Sequence, residues 1–260
     1  MAWSERQQGM LREMGLRVWS PAASPGAASR VEAVAAVPLP PASPPAPAVV
    51  PPRLAARTDI AGLDWPALRE AVAECRACGL CENRTQTVFG VGHPQAQWMV
   101  VGEAPGESED LQGEPFVGAA GQLLDRMLAA LQLTRRVEGP EPPAQRVYIA
   151  NTLKCRPPRN RNPSPQEMAL CEPFLVRQIE LLRPRLILAM GRFAIQALLR
   201  SDEAVGKLRG RVHRYQGVPL VVTYHPAYLL RNPRDKARSW DDLCLAAQVA
   251  EDDAVAQGPP

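Results

Sequence analysis

Residues 98–106 read Trp-Met-Val-Val-Gly-Glu-Ala-Pro-Gly, an apolar run that stops at a turn rich in glycine and proline. A short apolar run bounded by such a turn is typical of a buried strand. The first polar residue after the run is Glu103. A carboxylate at the end of a buried strand is a candidate functional residue, because ligands of open α/β sheets bind at the carboxyl ends of the strands.

Three further apolar runs follow the same pattern and are separated by helical patterns. They cover residues 147–150, 186–190 and 218–223. Strands that alternate with helices predict an α/β fold, here a three-layer α/β/α sandwich with a four-stranded parallel sheet. Right-handed crossovers bring the carboxyl ends of parallel strands to one edge. We therefore expect Glu103, Asn151 and His225 to meet in one pocket there.

Composition divides the chain into three parts. Residues 1–20 show the pattern of a short amphipathic helix, which is either a binding peptide for a protein partner or a frayed end. Residues 21–58 hold ten of the chain's 28 prolines and are rich in alanine, which predicts a disordered N-terminal linker. Residues 59–253 are long enough for one folded domain.

Charge and hydropathy restrict the partners and the compartment. The net charge is only +3, but basic residues concentrate near the predicted site within residues 154–161, 207–214 and 231–238, which favours a polyanion. No apolar run is long enough to cross a membrane, and the N-terminus lacks a secretory signal. We expect a protein of the bacterial cytosol, associated with the nucleoid and not with a membrane.

Six cysteines in a chain of this size that is expected to be cytosolic indicate metal binding or catalysis rather than disulfides. Two pairs stand out, Cys75-x2-Cys78 and Cys155-x15-Cys171, and together they can surround one centre with four thiolates. Spacing alone fits either zinc or a 4Fe–4S cluster. Cys81 could replace Cys78 as a ligand or be a bystander, and we expect Cys244 to be a buried apolar residue.

Several motifs resemble those of the family 4 uracil-DNA glycosylases, in order and in rough spacing, from about Cys75 to Arg231. They are Cys75-x2-Cys78, Gly-Glu-Ala-Pro-Gly-Glu-Ser-Glu-Asp at 102–110, Pro-Phe-Val-Gly at 115–118, Asn-Thr-Leu-Lys-Cys-Arg-Pro-Pro at 151–158, Cys171, and His-Pro-Ala-Tyr-Leu-Leu-Arg at 225–231. The resemblance implies the same α/β/α sandwich, a 4Fe–4S cluster and excision of uracil from DNA. We expect a monomer whose partner is uracil-containing DNA.

The resemblance also implies a role for individual residues. The cluster ligands would be Cys75, Cys78, Cys155 and Cys171. Phe116 would stack on the extruded uracil, Asn151 would read its polar edge, Glu109 would exclude the thymine methyl group, and His225 would contact O2. Leu229, Leu230 and Arg231 would enter the duplex as a wedge.

Activation of the attacking water is the least defined step. Glu103 is the candidate to orient the water, and the adjacent Ala104 would border the base. The better-known glycosylase family has an aspartate at the Ala104 position, so main-chain groups or solvent are the alternative activators. A related group traps uracil covalently through a histidine in a loop downstream of the asparagine motif. The corresponding residues 156–163 contain no histidine, so covalent trapping is not expected.

Other functions compete with this interpretation. One is a non-enzymatic DNA- or protein-binding module that a four-cysteine metal site holds together. A second is a hydrolase of free nucleosides, although such a substrate would need neither a wedge nor three basic loops. A glycosylase that also removes hypoxanthine or xanthine is the third.

Overall fold

A computed structural model describes residues 60–257 of the chain, with side chains described through Asp252. The helix expected at 1–20 and the linker expected at 21–58 lie outside these residues. None of the helices between residues 60 and 257 is long and apolar enough to cross a membrane.

The described domain is built on one five-stranded sheet with the order β2-β1-β3-β5-β4. The strands are β1 (Trp98–Gly102), β2 (Val147–Asn151), β3 (Leu186–Met190), β4 (Val212–Tyr215) and β5 (Val218–Thr223). All neighbouring pairs are parallel except β4 with β5. The four predicted strands are therefore confirmed as a parallel core.

The prediction of four strands missed β4, which pairs antiparallel with β5 at the sheet edge. Its four residues alternate between exposed and half-buried, so they lack the apolar run that marks the other strands. A two-residue turn joins the strands, and both Gln216 and Gly217 have positive φ angles. Such turns match the twist of a hairpin, which explains how so short a strand forms.

Helices cover both faces of the sheet, as the predicted sandwich requires. They are α1 (Trp65–Ala73), α2 (Glu107–Gln112), α3 (Ala119–Ala130), α4 (Pro165–Leu182), α5 (Arg192–Leu199), α6 (Val205–Leu208), α7 (Pro226–Arg231) and α8 (Lys236–Gln257). Met99 and Val101 face a core shared with α4 and α5. The alternate residues Trp98 and Val100 face a second core shared with α3 and α8. This alternation is the period of a strand buried on both sides.

The parallel strands end along one edge of the sheet. Gly102 pairs with Asn151 at the ends of β1 and β2. On the other side, Met190 of β3 pairs with Thr223 of β5, and the amide of Gly191 donates to the carbonyl of Thr223. The residues that follow these strands are thus brought next to one another.

Candidate active site

The edge of the sheet forms one open cavity that contains most of the predicted site residues. Its lining includes Glu103, Ala104, Glu109, Phe116, Asn151, His225 and Arg231. These residues come from the ends of β1, β2 and β5, from the loop after α2, and from α2 and α7. The three strand-end residues therefore share one pocket, as the sheet topology predicts.

Asn151 ends β2 and presents an unsatisfied acceptor. The residue is 3% exposed, and its Oδ1 atom is buried without a hydrogen-bond partner among the described residues. A buried polar atom without a partner costs about 1–3 kcal/mol. Gly102 makes room beside it, because a Cβ at that position would lie 2.5 Å from this oxygen. The arrangement is suited to a ligand that donates a hydrogen bond to Asn151.

Phe116 is buried in the cavity in a strained backbone conformation. Its φ angle is +56°, which costs a residue other than glycine roughly 1–3 kcal/mol. The guanidinium of Arg135 donates to the carbonyls of Pro115 and Phe116 over 2.8 and 2.9 Å, and it also pairs with Asp125 at 2.8 Å. Gly121 of α3 packs directly on the same Phe116 carbonyl. The ring is therefore held in place before any ligand arrives.

His225 caps the N-terminus of α7, and this contact assigns its tautomer. The main-chain N–H of Ala227 donates to Nδ1 over 3.2 Å, so the neutral ring carries its proton on Nε2. Burial and, to a smaller extent, the positive charge of Arg231 lower the pKa of His225, whereas Glu109 opposes the shift, and the resulting pKa is about 4. The imidazole is consequently neutral at pH 7, with Nε2–H free to act as a donor.

The rings of Phe116 and His225 lie 5.3 Å apart between centroids at an angle of 27°. This is an offset stack. The imidazole covers only part of the phenyl face, so a planar base placed on the remainder would lie beside the imidazole in nearly the same layer. In that position the edge of the base would lie next to the imidazole ring.

Two carboxylates border the cavity in different ways. Glu109 accepts main-chain N–H bonds from Gly106, Val117 and Gly118 at 3.0 to 3.2 Å, so it ties the loop after β1 to the loop that carries Phe116. Burial raises the pKa of Glu103. Its carboxylate has no hydrogen bond or ion pair within residues 60–257, although its main-chain oxygen accepts from Leu153.

The four predicted cysteine ligands line a second, small cavity beside the active site. Cys75, Cys78, Cys155 and Cys171 surround it together with apolar residues. Burial raises the pKa of the Cys171 thiol to about 12, so metal binding there would have to displace a proton. Within residues 60–257, no three Cys, His, Asp or Glu side chains are arranged to hold a single metal ion.

The remaining cysteines lie apart from this arrangement. Cys81 is half-buried in the same turn as Cys78. Cys244 is exposed on α8, so the expectation that it is buried is wrong. Its helix presents that position to solvent, whereas Leu243 and Ala246 of the same helix face the sheet.

Two cations lie near the cysteines: Arg84, which no sequence motif indicated, and Lys154, the first residue of the basic cluster predicted at 154–161. Arg84 donates from Nη1 to the sulfur of Cys155 over 3.0 Å. Lys154 is 1% exposed, and its Nζ donates to the carbonyl of Asn151 and to Oε1 of Gln178. Lys154 thus joins the cysteine loop to the residue that reads the ligand. The basic cluster predicted a side chain available to a polyanion, and for Lys154 that expectation is wrong because the fold buries the side chain.

The three residues of the predicted wedge differ in their exposure on α7. Leu230 is 43% exposed and Arg231 lies at the rim of the cavity, but Leu229 is 1% exposed and packs inside the domain. The described conformation therefore offers Leu230 and Arg231 to a duplex, with Leu229 beneath them. The wedge available in this conformation is narrower than the three residues expected.

The chain is similar to known proteins of one enzyme superfamily. A family model described as the uracil DNA glycosylase superfamily matches residues 89–245. The chain is 43% identical over 171 residues to a type-4 uracil-DNA glycosylase of Archaeoglobus fulgidus, which covers 63% of this chain and 81% of the relative. A type-4 enzyme of Pyrobaculum aerophilum is 40% identical over 193 residues, 70% of this chain and 93% of the relative. A type-5 uracil-DNA glycosylase of the same organism is 35% identical over 149 residues, 53% of this chain and 64% of that relative.

Proposed function

The chain belongs to the uracil DNA glycosylase superfamily and, within it, to the type-4 enzymes, and we propose that it excises uracil from DNA with the side chains gathered at the sheet edge. The observation that carries this proposal is the convergence of Asn151, Phe116 and His225 in one cavity. An acceptor, an aromatic face and a neutral donor match the edge, face and O2 of one extruded pyrimidine. The product is an abasic site, as in base excision repair.

Recognition of the base follows from the offset ring stack. Uracil stacks on the free part of the Phe116 ring, which is a contact worth roughly 1–3 kcal/mol in general. Its N3–H donates to the unsatisfied Oδ1 of Asn151, and the amide nitrogen of the same side chain can donate to O4. The base gains hydrogen bonds that the empty pocket lacks, which offsets part of the cost of extrusion.

Hydrolysis places negative charge on the departing base. Water adds to C1′ of the deoxyribose and loses a proton to solvent, while the N1–C1′ bond breaks and uracil leaves as an anion with the bonding electron pair. A proton from solvent then neutralises the released uracil. Charge develops on O2, where Nε2–H of His225 donates. A donor aimed at charge that appears only in the transition state accelerates the step, and a neutral imidazole suffices.

Two acidic residues complete the proposed mechanism. Glu103 borders the cavity with an unpaired carboxylate and can orient the attacking water, with Ala104 lining the base beside it. Glu109 holds the two loops in place and lies where a C5 methyl group would enter, so it excludes thymine. Its three main-chain bonds make it a rigid barrier.

DNA binding relies on the exposed end of α7 and on nearby cations. Leu230 and Arg231 would fill the gap left by the extruded nucleotide. Arg192 and Arg231 line the cavity, and Arg159 and Lys207 directly neighbour the lining residues Asn160 and Gly206 in sequence. None of these four basic side chains forms an ion pair within residues 60–257, so they are available to phosphates. Arg192, at the start of α5, lines the cavity and was not among the basic clusters read from the sequence.

We also propose that the four cysteines hold a 4Fe–4S cluster. Their thiolates surround one cavity between apolar residues, and N–H groups of Arg84 and Lys154 already donate to two of the sulfurs. Four cysteine thiolates are a ligand set that a 4Fe–4S cluster takes, and these four residues would hold it. When bound, the cluster would connect the turn of Cys75 and Cys78 to the Asn151 loop without entering the reaction.

A matched pair of oligonucleotides tests the function. The purified protein is incubated with strands that differ only in carrying uracil or thymine, and abasic sites are cleaved with alkali. We expect cleavage at uracil alone. Intact uracil strands would refute the activity, and cleavage at thymine would refute the role of Glu109. A brown protein with broad visible absorbance indicates iron and sulfide, whereas a colourless protein with bound zinc contradicts the cluster.

The monomeric state, the cytosolic location and a protein partner for residues 1–20 stay predictions.

A further inference from the structure

Two tyrosines that the proposed reaction does not use lie at the same cavity. Tyr224 follows β5 and Tyr228 lies in α7, and both contribute to the cavity lining. Their rings are stacked, with centroids 5.1 Å apart and an angle of 17° between the planes. Both residues are half-buried, and the hydrophobic cores within residues 60–252 include neither ring. Core packing therefore does not explain the pair.

The pair is held in a defined orientation from outside the cavity. The hydroxyl of Tyr228 donates to Oδ2 of Asp235 over 2.8 Å, and Asp235 in turn pairs with Arg238 at 3.2 Å. The guanidinium carbon of Arg209 lies 6.0 Å from the centroid of the Tyr224 ring. Fixed aromatic rings with cations beside them are what stacking platforms for single-stranded nucleic acid offer.

The position of the pair in α7 relates it to the substrate. Tyr224 directly precedes His225, and Tyr228 stands between His225 and the exposed Leu230. Both tyrosines line the cavity together with His225 of the base pocket and Arg231 of the proposed wedge. A nucleotide next to the extruded uridine would therefore lie close to the tyrosines.

We propose that Tyr224 and Tyr228 form a stacking subsite for the base of one nucleotide adjacent to the uracil. This subsite rests on the proposed uracil excision and extends recognition from one base to two. Every base can stack on an aromatic ring, so the subsite adds affinity for DNA without a strong sequence preference. It also favours flexible single strands, in which a neighbouring base is free to leave its own stack.

The test removes the neighbouring base and the tyrosine separately and together. Single-stranded oligonucleotides carry one uracil flanked by normal nucleotides, by an abasic analogue on the 5′ side, or by one on the 3′ side. Single-turnover excision is measured with the full-length wild type, Tyr228→Leu and Tyr228→Phe. Gln248→Ala, which changes an exposed residue of α8, serves as the control that stays at the wild-type rate.

We expect one of the two abasic substitutions to slow the wild type by about 10-fold at subsaturating enzyme, in line with the loss of one stacked base. On the intact strand, excision by Tyr228→Leu should be about as slow as excision by the wild type on that abasic strand. Removal of the neighbouring base should not slow the Tyr228→Leu variant further. Tyr228→Phe keeps the ring and should recover the dependence on the neighbouring base.

Two results would overturn the subsite. One is a wild type that ignores both abasic substitutions, a result that needs no variant to fold. The other is a Tyr228→Leu enzyme whose excision rate falls as much as that of the wild type when the neighbouring base is removed. Excision of uracil from the intact strand by the wild type reports on the proposed function separately, so the two ideas can fail independently.

Discussion

The main-chain N–H of Ala227 donates to Nδ1 of His225 over 3.2 Å, and this contact leaves Nε2–H as the free donor of a ring that lines the cavity. Protonation of the ring would place a second N–H against that of Ala227 and break the cap of α7. Because the folded pKa of about 4 lies below the ordinary 6.5, unfolded chains bind this proton more readily. The stability that the neutral ring contributes is full above pH 6.5 and is lost as the pH falls toward 4.

We expect the single-turnover rate of excision to show no titration of His225 between about pH 8 and pH 5, and to fall as the pH approaches 4. His225→Ala should lower the rate by about 100-fold or more, as loss of one transition-state donor does. The matched control is His213→Gln, on the edge strand β4. An inflection near pH 6.5 that disappears in His225→Ala would contradict the neutral imidazole.

The cysteine assignment predicts a difference between the thiols that line the four-cysteine cavity and the two that do not. Cys155→Ala removes a ligand that is 7% exposed, and we expect a bleached or insoluble protein. Cys244→Ala and Cys81→Ala should keep the visible spectrum and the iron content, since neither lines the cavity of the four cysteines. Iron and sulfide analysis with visible absorbance checks this. A normal spectrum for Cys155→Ala would remove that residue from the ligand set.

Arg135 is predicted to act on the base through Phe116. Arg135→Ala frees the two carbonyls that keep Phe116 in its left-handed conformation, so the ring should lose its fixed position. We expect kcat/KM to fall by about 10-fold and inhibition by free uracil to weaken in parallel. Arg136→Ala changes the exposed neighbour and serves as the control. Unchanged uracil inhibition together with a lower Tm would assign Arg135 a purely structural role.

Substitutions of the two leucines of α7 should have different effects, one on activity and the other on stability. Leu230→Ala removes an exposed side chain and should slow excision from duplex DNA more than from single strands, with little change in stability. Leu229→Ala empties a buried position and should lower the free energy of unfolding by about 2–5 kcal/mol. Thermal or urea unfolding and paired rate measurements check both. Equal loss of duplex activity in the two folded variants would restore Leu229 to the wedge.

Much of the fold could be predicted because its strands are buried on both faces. Continuous apolar runs such as 98–101 identify a strand without reference to the rest of the chain, and parallel topology then places the strand ends together. Strand β4 was not predicted because an edge strand needs no apolar run. The short helix α7 was not predicted, because about one turn from Pro226 to Arg231 is too short to show a helical pattern of apolar residues.

Glu103, Asn151 and His225 could be predicted as polar residues at strand ends, whereas the roles of Phe116 and Glu109 followed from the family resemblance. The surroundings of these residues could not be predicted. Arg135 is remote from Phe116 in sequence, and no local pattern shows that its guanidinium binds that main chain. Lys154 stands in a basic run, yet the fold buries its amine between Asn151 and Gln178. Burial of a polar side chain depends on which segments pack around it, and that information is not local.

The central claim is that the unsatisfied Oδ1 of Asn151 binds an extruded uracil on the face of Phe116. The most direct measurement is single-turnover excision from a uracil-containing single strand by Asn151→Ala beside the wild type and Gln248→Ala. We predict a loss of about 100-fold or more for Asn151→Ala, because a site built around a hydrogen bond fails without it, while DNA binding persists. An Asn151→Ala enzyme that is as fast as the wild type would contradict the account.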